Sequence, residues 1–132
     1  MTASDSCVRV IQISDCHLFA DIERSGYLKI NPYTSLQKVL ACVRDLEPEL
    51  VLVTGDLSGD LSESGYRHFQ TLWQQAGIPA AMHIIPGNHD QPALLRQFFG
   101  SEMSWLQRSL KLDNWHLHAL DRHYQGTLGD VD

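Results

Sequence analysis

The sequence has no apolar run near the roughly 18 residues that a membrane-spanning helix needs, and its 132 residues contain no cluster of Lys and Arg. The first absence argues against a membrane protein. The second, with 10 Lys and Arg against 16 Asp and Glu and a net charge of −6, leaves nothing to track a phosphate backbone. Sequence-reading nucleic-acid binding is therefore not expected, although a nuclease is not excluded. Cysteine is scarce. Cys7, Cys16 and Cys42 are an odd count without CxxC spacing, so reduced thiols are expected in place of a disulfide framework. Met1 to Cys7 is polar and acidic where an export signal would be basic, which places the chain in the cytoplasm as an expectation. Repeats and low-complexity linkers are also missing. What is present, 43% hydrophobic, 20% charged and 8% aromatic residues, suits one ordinary domain and excludes collagen, coiled coil and wholesale disorder.

Periodicity predicts alternating strands and helices. Val8 to Ile13 alternates around a β-branched run and reads as a strand, broken by Ser14-Asp15-Cys16-His17. Asn31-Pro32 reads as an N-cap with Pro at the first helical position, and Leu36, Val39, Leu40, Val43 and Leu46 then recur at helical spacing until Pro48. Leu50 to Thr54 is an uninterrupted run of strand length, the pattern of a strand covered on both faces, ended by Gly55-Asp56. Ser62 caps a second helix with the stripe Tyr66, Phe69, Trp73 and Ala76, stopped by Gly77. Ala80 to Ile85 is a third strand, and a short helix runs from Pro92 through Phe99 to Gly100. Ser104 to Leu112 fits no single pattern. Trp115 to Leu120 reads as a fourth strand, followed by an irregular tail. The order implies an α/β fold with a mostly parallel sheet and crossover helices.

The polar clusters fall where such a sheet binds ligands. Asp15 and His17, Gly55-Asp56 and Asn88-His89 each follow the C-terminal end of a strand, and in an open parallel sheet those ends converge on one edge. Two carboxylates, two imidazoles and a carboxamide form a mixed N/O set suited to Mn, Fe or Zn. In extended backbone, Asp15 and His17 would point the same way and grip one ion, with Cys16 a bystander facing elsewhere. Asp56 has two oxygens with which to bridge two ions, and Asn88 an amide oxygen. Two divalent ions about 3.5–4 Å apart suit in-line attack of a bridging hydroxide on phosphorus, leaving His89 as the acid. Singly, each cluster reads equally well as a turn or a helix cap. Their coincidence is what favours a site.

The motifs Asp15-Cys16-His17, Gly55-Asp56 and Gly87-Asn88-His89-Asp90, in that order from about Val8 to about Leu120, resemble those of the calcineurin-like metallophosphoesterase superfamily. Ile13 to Phe19, followed by Asn31-Pro32-Tyr33 and Ser35-Leu36, further resembles the bacterial class III cyclic-AMP phosphodiesterases. The resemblance implies a four-layer α/β/β/α sandwich. It also implies a first ion on Asp15, His17 and Asp56, a second on Asp56 and Asn88, and His89 protonating the leaving oxygen. The family's further histidine motif and its G-H-x-H motif do not occur before Asp132. His116-Leu117-His118 has Trp115 in place of the Gly and reads as a strand face, and His68, His83 and His123 read as structural or surface residues. Residues 1–132 thus resemble the N-terminal half of an enzyme, expected to be inactive alone, with an uncovered sheet face open to self-association. The implied activity is binuclear hydrolysis of a small phosphodiester, cyclic AMP to 5′-AMP. The alternatives are another phosphoester substrate or a non-catalytic interaction module.

Overall fold

The computed structural model describes residues 7–120; His123 and the irregular tail lie outside them. Strand β1 (Val10–Ile13), helix α1 (Pro32–Asp45), strand β2 (Leu50–Thr54), helix α2 (Glu63–Ala76), strand β3 (Ala81–Ile85) and helix α3 (Pro92–Phe99) follow in sequence. The strands form a parallel sheet in the order β1-β2-β3, with Ile11 beside Val51 and Met82, and Ile13 beside Val53 and Ile84. The expected caps are in place. The Asn31 side chain accepts from Thr34 N, Ser62 accepts from Gly65 N, and Gly77 ends α2 in the left-handed conformation at φ 64°. Each cap answers a backbone group that the helix end leaves unpaired.

Sequential strands joined by right-handed crossovers put their helices on the same side of the sheet. One core accordingly joins Ile13, Val51, Val53, Met82 and Ile84 to Leu36 and Leu40 of α1, Phe69 of α2, and Leu95 and Phe99 of α3. The opposite face carries Val10, Gln12, Leu52, Thr54, His83 and Ile85 in partial or full exposure. This corrects the expectation that β2 is covered on both faces. Leu52 and Thr54 stay half-buried because no helix of the described residues lies over them, and Gln12 Nε2 donates to Thr54 Oγ1 at 2.7 Å across that open side.

The segment after α3 also differs from expectation. The ambiguous stretch resolves into a 3-10 turn over Ser104–Leu106 and a strand β4 (Leu110–Leu112). This strand pairs antiparallel with β5 (Trp115–Leu117), so the expected fourth strand joins a separate hairpin and not the parallel sheet. Only two residues, Asp113 and Asn114, separate them, which is far too few for a parallel crossover. Among the described residues no helix is long and apolar enough to cross a membrane.

Candidate metal centre

The register of β1 on β2 continues beyond the strands into the two polar loops. Asp15 N donates to Gly55 O at 3.0 Å, His17 N to Asp56 O at 2.9 Å, and Leu18 N to Leu57 O at 2.8 Å. Leu18, Leu57 and Ser58, all fully buried, anchor the far end. A parallel ladder thus carries Asp15 and His17 alongside Asp56 at the C-terminal rim of the sheet, where ligands bind in this architecture. One ligand atom from each of Asp15, His17 and Asp56 lies within 4.8 Å of the other two, and His17 Nε2 is 3.5 Å from Asp15 Oδ1.

The backbone that achieves this is not extended, contrary to expectation. Asp15, His17 and Asp56 all have positive φ, at 60°, 48° and 56°. Non-glycine residues seldom adopt this region, and such outliers collect at functional sites, where the surrounding structure holds them. Left-handed residues on both sides of Cys16 turn Asp15 and His17 toward Asp56 while Cys16 packs on the core. Burial, and then the carboxylates of Asp90 and Asp15, push the Cys16 thiol up to about 12. Its sulfur is not part of the Asp15–His17–Asp56 grouping. Cys16→Ser is accordingly expected to leave metal content per chain within about twofold of wild type, since second-sphere groups that do matter cost tenfold or more.

Asp90 was visible in the sequence only as the end of a motif, and the structure shows what it does. It is 3% exposed. Its Oδ2 accepts from Asp56 N (2.7 Å) and Gly87 N (2.8 Å), and its Oδ1 from Leu57 N (3.0 Å), Ser58 N (3.4 Å) and the Tyr66 hydroxyl (2.9 Å). Burial, then the Asp90 charge, push the Tyr66 hydroxyl upward, so it remains a donor to Asp90 while accepting from Gln91 N at 3.0 Å. One buried carboxylate therefore ties the loop after β2 to the loop after β3 and to α2. The signal in the sequence is an acidic residue between His89 and Gln91 in a polar loop, which does not distinguish a tie from a turn.

The two loops also touch directly. A Cβ on Gly87 would lie 2.1 Å from Asp56 Oδ1, and one on Gly55, at φ 105°, would lie 2.7 Å from Gly87 Cα. Only glycine permits that approach. Gly87→Ala is expected to cost about 1–3 kcal/mol, the usual effect of overpacking, read as a lowered urea midpoint. Held this way, His89 N donates to Asp56 Oδ1 at 3.0 Å, and the His89 ring centroid lies 5.9 Å from that of His17. Asn88, between Gly87 and His89, is exposed on the same loop. The rim therefore brings together Asp15, His17, Asp56 and His89, with Asn88 carried beside them. Neither His116 nor His118 joins the Asp15–His17–Asp56 grouping among the described residues. His68 instead meets Ala20 O at 2.9 Å and the Tyr33 ring edge-on. Burial holds His83 below the usual imidazole range despite the opposing charge of Glu102.

The donor chemistry fits a divalent ion. Two carboxylates and an imidazole converge, and the ion pairs of the described residues bring no Lys or Arg to Asp15, Asp56 or Asp90. Hard oxygen with imidazole nitrogen suits borderline metals. Comparison with known proteins agrees. The chain is 34% identical over 127 residues to the 3′,5′-cyclic adenosine monophosphate phosphodiesterase CpdA of Escherichia coli strain K12, a match covering 94% of this chain and 45% of that protein. It is 33% identical over 129 residues to CpdA of Pseudomonas aeruginosa, covering 96% and 46%. A probable cyclic nucleotide phosphodiesterase of Colwellia psychrerythraea is 30% identical over 114 residues, covering 83% and 42%. The chain thus spans about half the length of the curated relatives it matches. Residues 8–130 match the calcineurin-like phosphoesterase family, and with the α/β sheet and its rim of ligand-type residues described above, the chain belongs to that family.

Proposed function

We propose that these residues form the N-terminal half of a binuclear metal-dependent phosphodiesterase that hydrolyses 3′,5′-cyclic AMP to 5′-AMP in the cytoplasm. The observation that carries this reading is the convergence of Asp15, His17 and Asp56 within 4.8 Å on the same rim as Asn88 and His89. The cyclic-nucleotide substrate is taken from the names of the relatives. Asp15, His17 and Asp56 would hold one ion, and Asp56 with Asn88 would contribute to a second. Bound divalent ions (Fe, Mn or Zn) neutralise phosphate oxygens and make water more acidic. Asp90 keeps Asp56 and the Asn88-His89 loop at fixed separation, which is the positioning such catalysis requires. His89, exposed beside the ligand cluster, donates a proton to the 3′-oxygen as its bond to phosphorus breaks and water oxygen joins phosphorus. In a full-length polypeptide carrying these residues, Mn²⁺-dependent turnover of cyclic AMP should exceed that of a generic nitrophenyl phosphodiester. Preference for the nitrophenyl ester would assign a different phosphoester. The open face of the sheet favours one further reading, association of this chain with a copy of itself or a partner. A monomer at micromolar concentration in analytical ultracentrifugation would refute self-association.

A further inference from the structure

Beside the ion ligands, the loop between β1 and α1 forms one wall of a hollow of about 310 Å³ whose lining includes Asp15 and His17. That volume is at the small end of ligand-binding sites. The loop wall and the facing side of α1 are apolar and unusually bare: Tyr27 and Ile30 of the loop are 87% and 52% exposed, and Val39 of α1 is 43% exposed. Two hydroxyls, those of Ser14 and Ser35, line it as well. We propose that this hollow is the subsite for the nucleobase of a nucleoside phosphoester, with the Tyr27 ring as its stacking surface. The inference rests on the phosphodiesterase reading and adds to it the part of the site that selects the ester substituent.

Three features carry the assignment. The hollow shares two of its lining residues with the ion cluster, so a ligand whose phosphate meets Asp15 and His17 has its substituent delivered there. The wall is preorganised. Gly26 N donates to Ile30 O at 2.8 Å, Lys29 N to Gly26 O at 3.1 Å and Ile30 N to Tyr27 O at 3.1 Å. The base of the loop is tied by Asn31 Nδ2 to Ile22 O at 2.8 Å and by Ala20 N to Asp60 Oδ2 at 3.0 Å. Tyr27 is therefore presented by a closed turn, which lowers the ordering cost of binding. Lastly, an apolar wall with an aromatic ring and a few hydroxyls matches a flat heterocycle with polar edges, whereas a bare sugar or a second charge would gain little there.

The test is titration of the ¹⁵N-labelled 132-residue chain, loaded with Zn²⁺, with adenosine 5′-monophosphate and separately with ribose 5-phosphate, followed by NMR. The nucleotide should bind at least about fivefold tighter, the lower end of base stacking on an aromatic side chain, with shifts at Tyr27, Ile30 and Val39. Tyr27→Ala should bring the two affinities together and Tyr27→Phe should keep them apart. Because Tyr27 is on the surface, circular dichroism of both variants should match wild type. Equal affinities in the wild type, or a preference that survives Tyr27→Ala, would overturn the subsite. Adenosine without phosphate distinguishes the two levels of the argument. Shifts at Tyr27 with adenosine, but no Zn²⁺ dependence for either phosphate compound, would support the subsite and refute the metal-dependent phosphodiesterase reading of the rim instead.

Discussion

Asp56→Asn is expected to reduce metal affinity by about a hundredfold or more, beyond what loss of a residue that merely supports a ligand costs. The replacement separates charge from shape. Asn keeps an oxygen to accept the His89 N–H that Asp56 Oδ1 now receives at 3.0 Å, and it tolerates the left-handed backbone that Asp56 adopts at φ 56°. The fold should therefore persist while half the carboxylate charge facing the ion disappears. Metal content after equilibrium dialysis against Mn²⁺ reads the effect, with Cys16→Ser as the neighbouring control. Equal loss in the two variants would remove Asp56 from the ligand set.

Asp90→Asn should destabilise the fold by about 2 kcal/mol or more, because either the two donors on Oδ2 or the three on Oδ1 lose their acceptor and unsatisfied buried donors cost about 1–3 kcal/mol each. An ionised carboxylate is a pure acceptor, whereas a carboxamide turns an N–H toward one side. That side must be either the Asp56 and Gly87 amides or the group of Leu57, Ser58 and Tyr66. Tyr66→Phe, which removes a single donor to Asp90, should cost about 1 kcal/mol. Urea denaturation measures both. An Asp90→Asn midpoint indistinguishable from wild type would mean that the two loops are held together by something else. Since Asp90 ties the Asp56 loop to the Asn88-His89 loop, a variant that still folds should also bind metal more weakly.

The sequence was informative where chemistry repeats at a period and poor where a single backbone angle decides. Alternation located β1 and short apolar runs located β2 and β3, and Asn31, Ser62 and Gly77 marked helix ends because each supplies a specific backbone partner or conformation. The rim followed from where the polar residues interrupted the strands. The left-handed angles of Asp15, His17 and Asp56 had no signal, since their side chains suit turns and extended backbone alike. The partial exposure of Leu52 and Thr54 was hidden for another reason. An apolar run reports what its residues tolerate, whereas coverage depends on the side to which the crossovers send α1 and α2. In the β4–β5 hairpin, β5 falls within the expected strand Trp115 to Leu120, whereas β4, three residues long, is too short for alternation to register. Asp90 ends the Gly87-Asn88-His89-Asp90 motif, but its task depends on the amides of Asp56, Leu57 and Ser58, more than thirty positions earlier, which no local reading brings together.

Calorimetric titration of the 132-residue chain with Mn²⁺ tests most directly whether the rim is a metal centre. On the proposed ligand set, Asp15, His17 and Asp56 would supply three donors to one ion, while Asp56 and Asn88 alone would supply two to another. The expected result is a single weak site per chain, lost in Asp56→Asn. No detectable binding, or a site that Asp56→Asn leaves intact, would contradict the account.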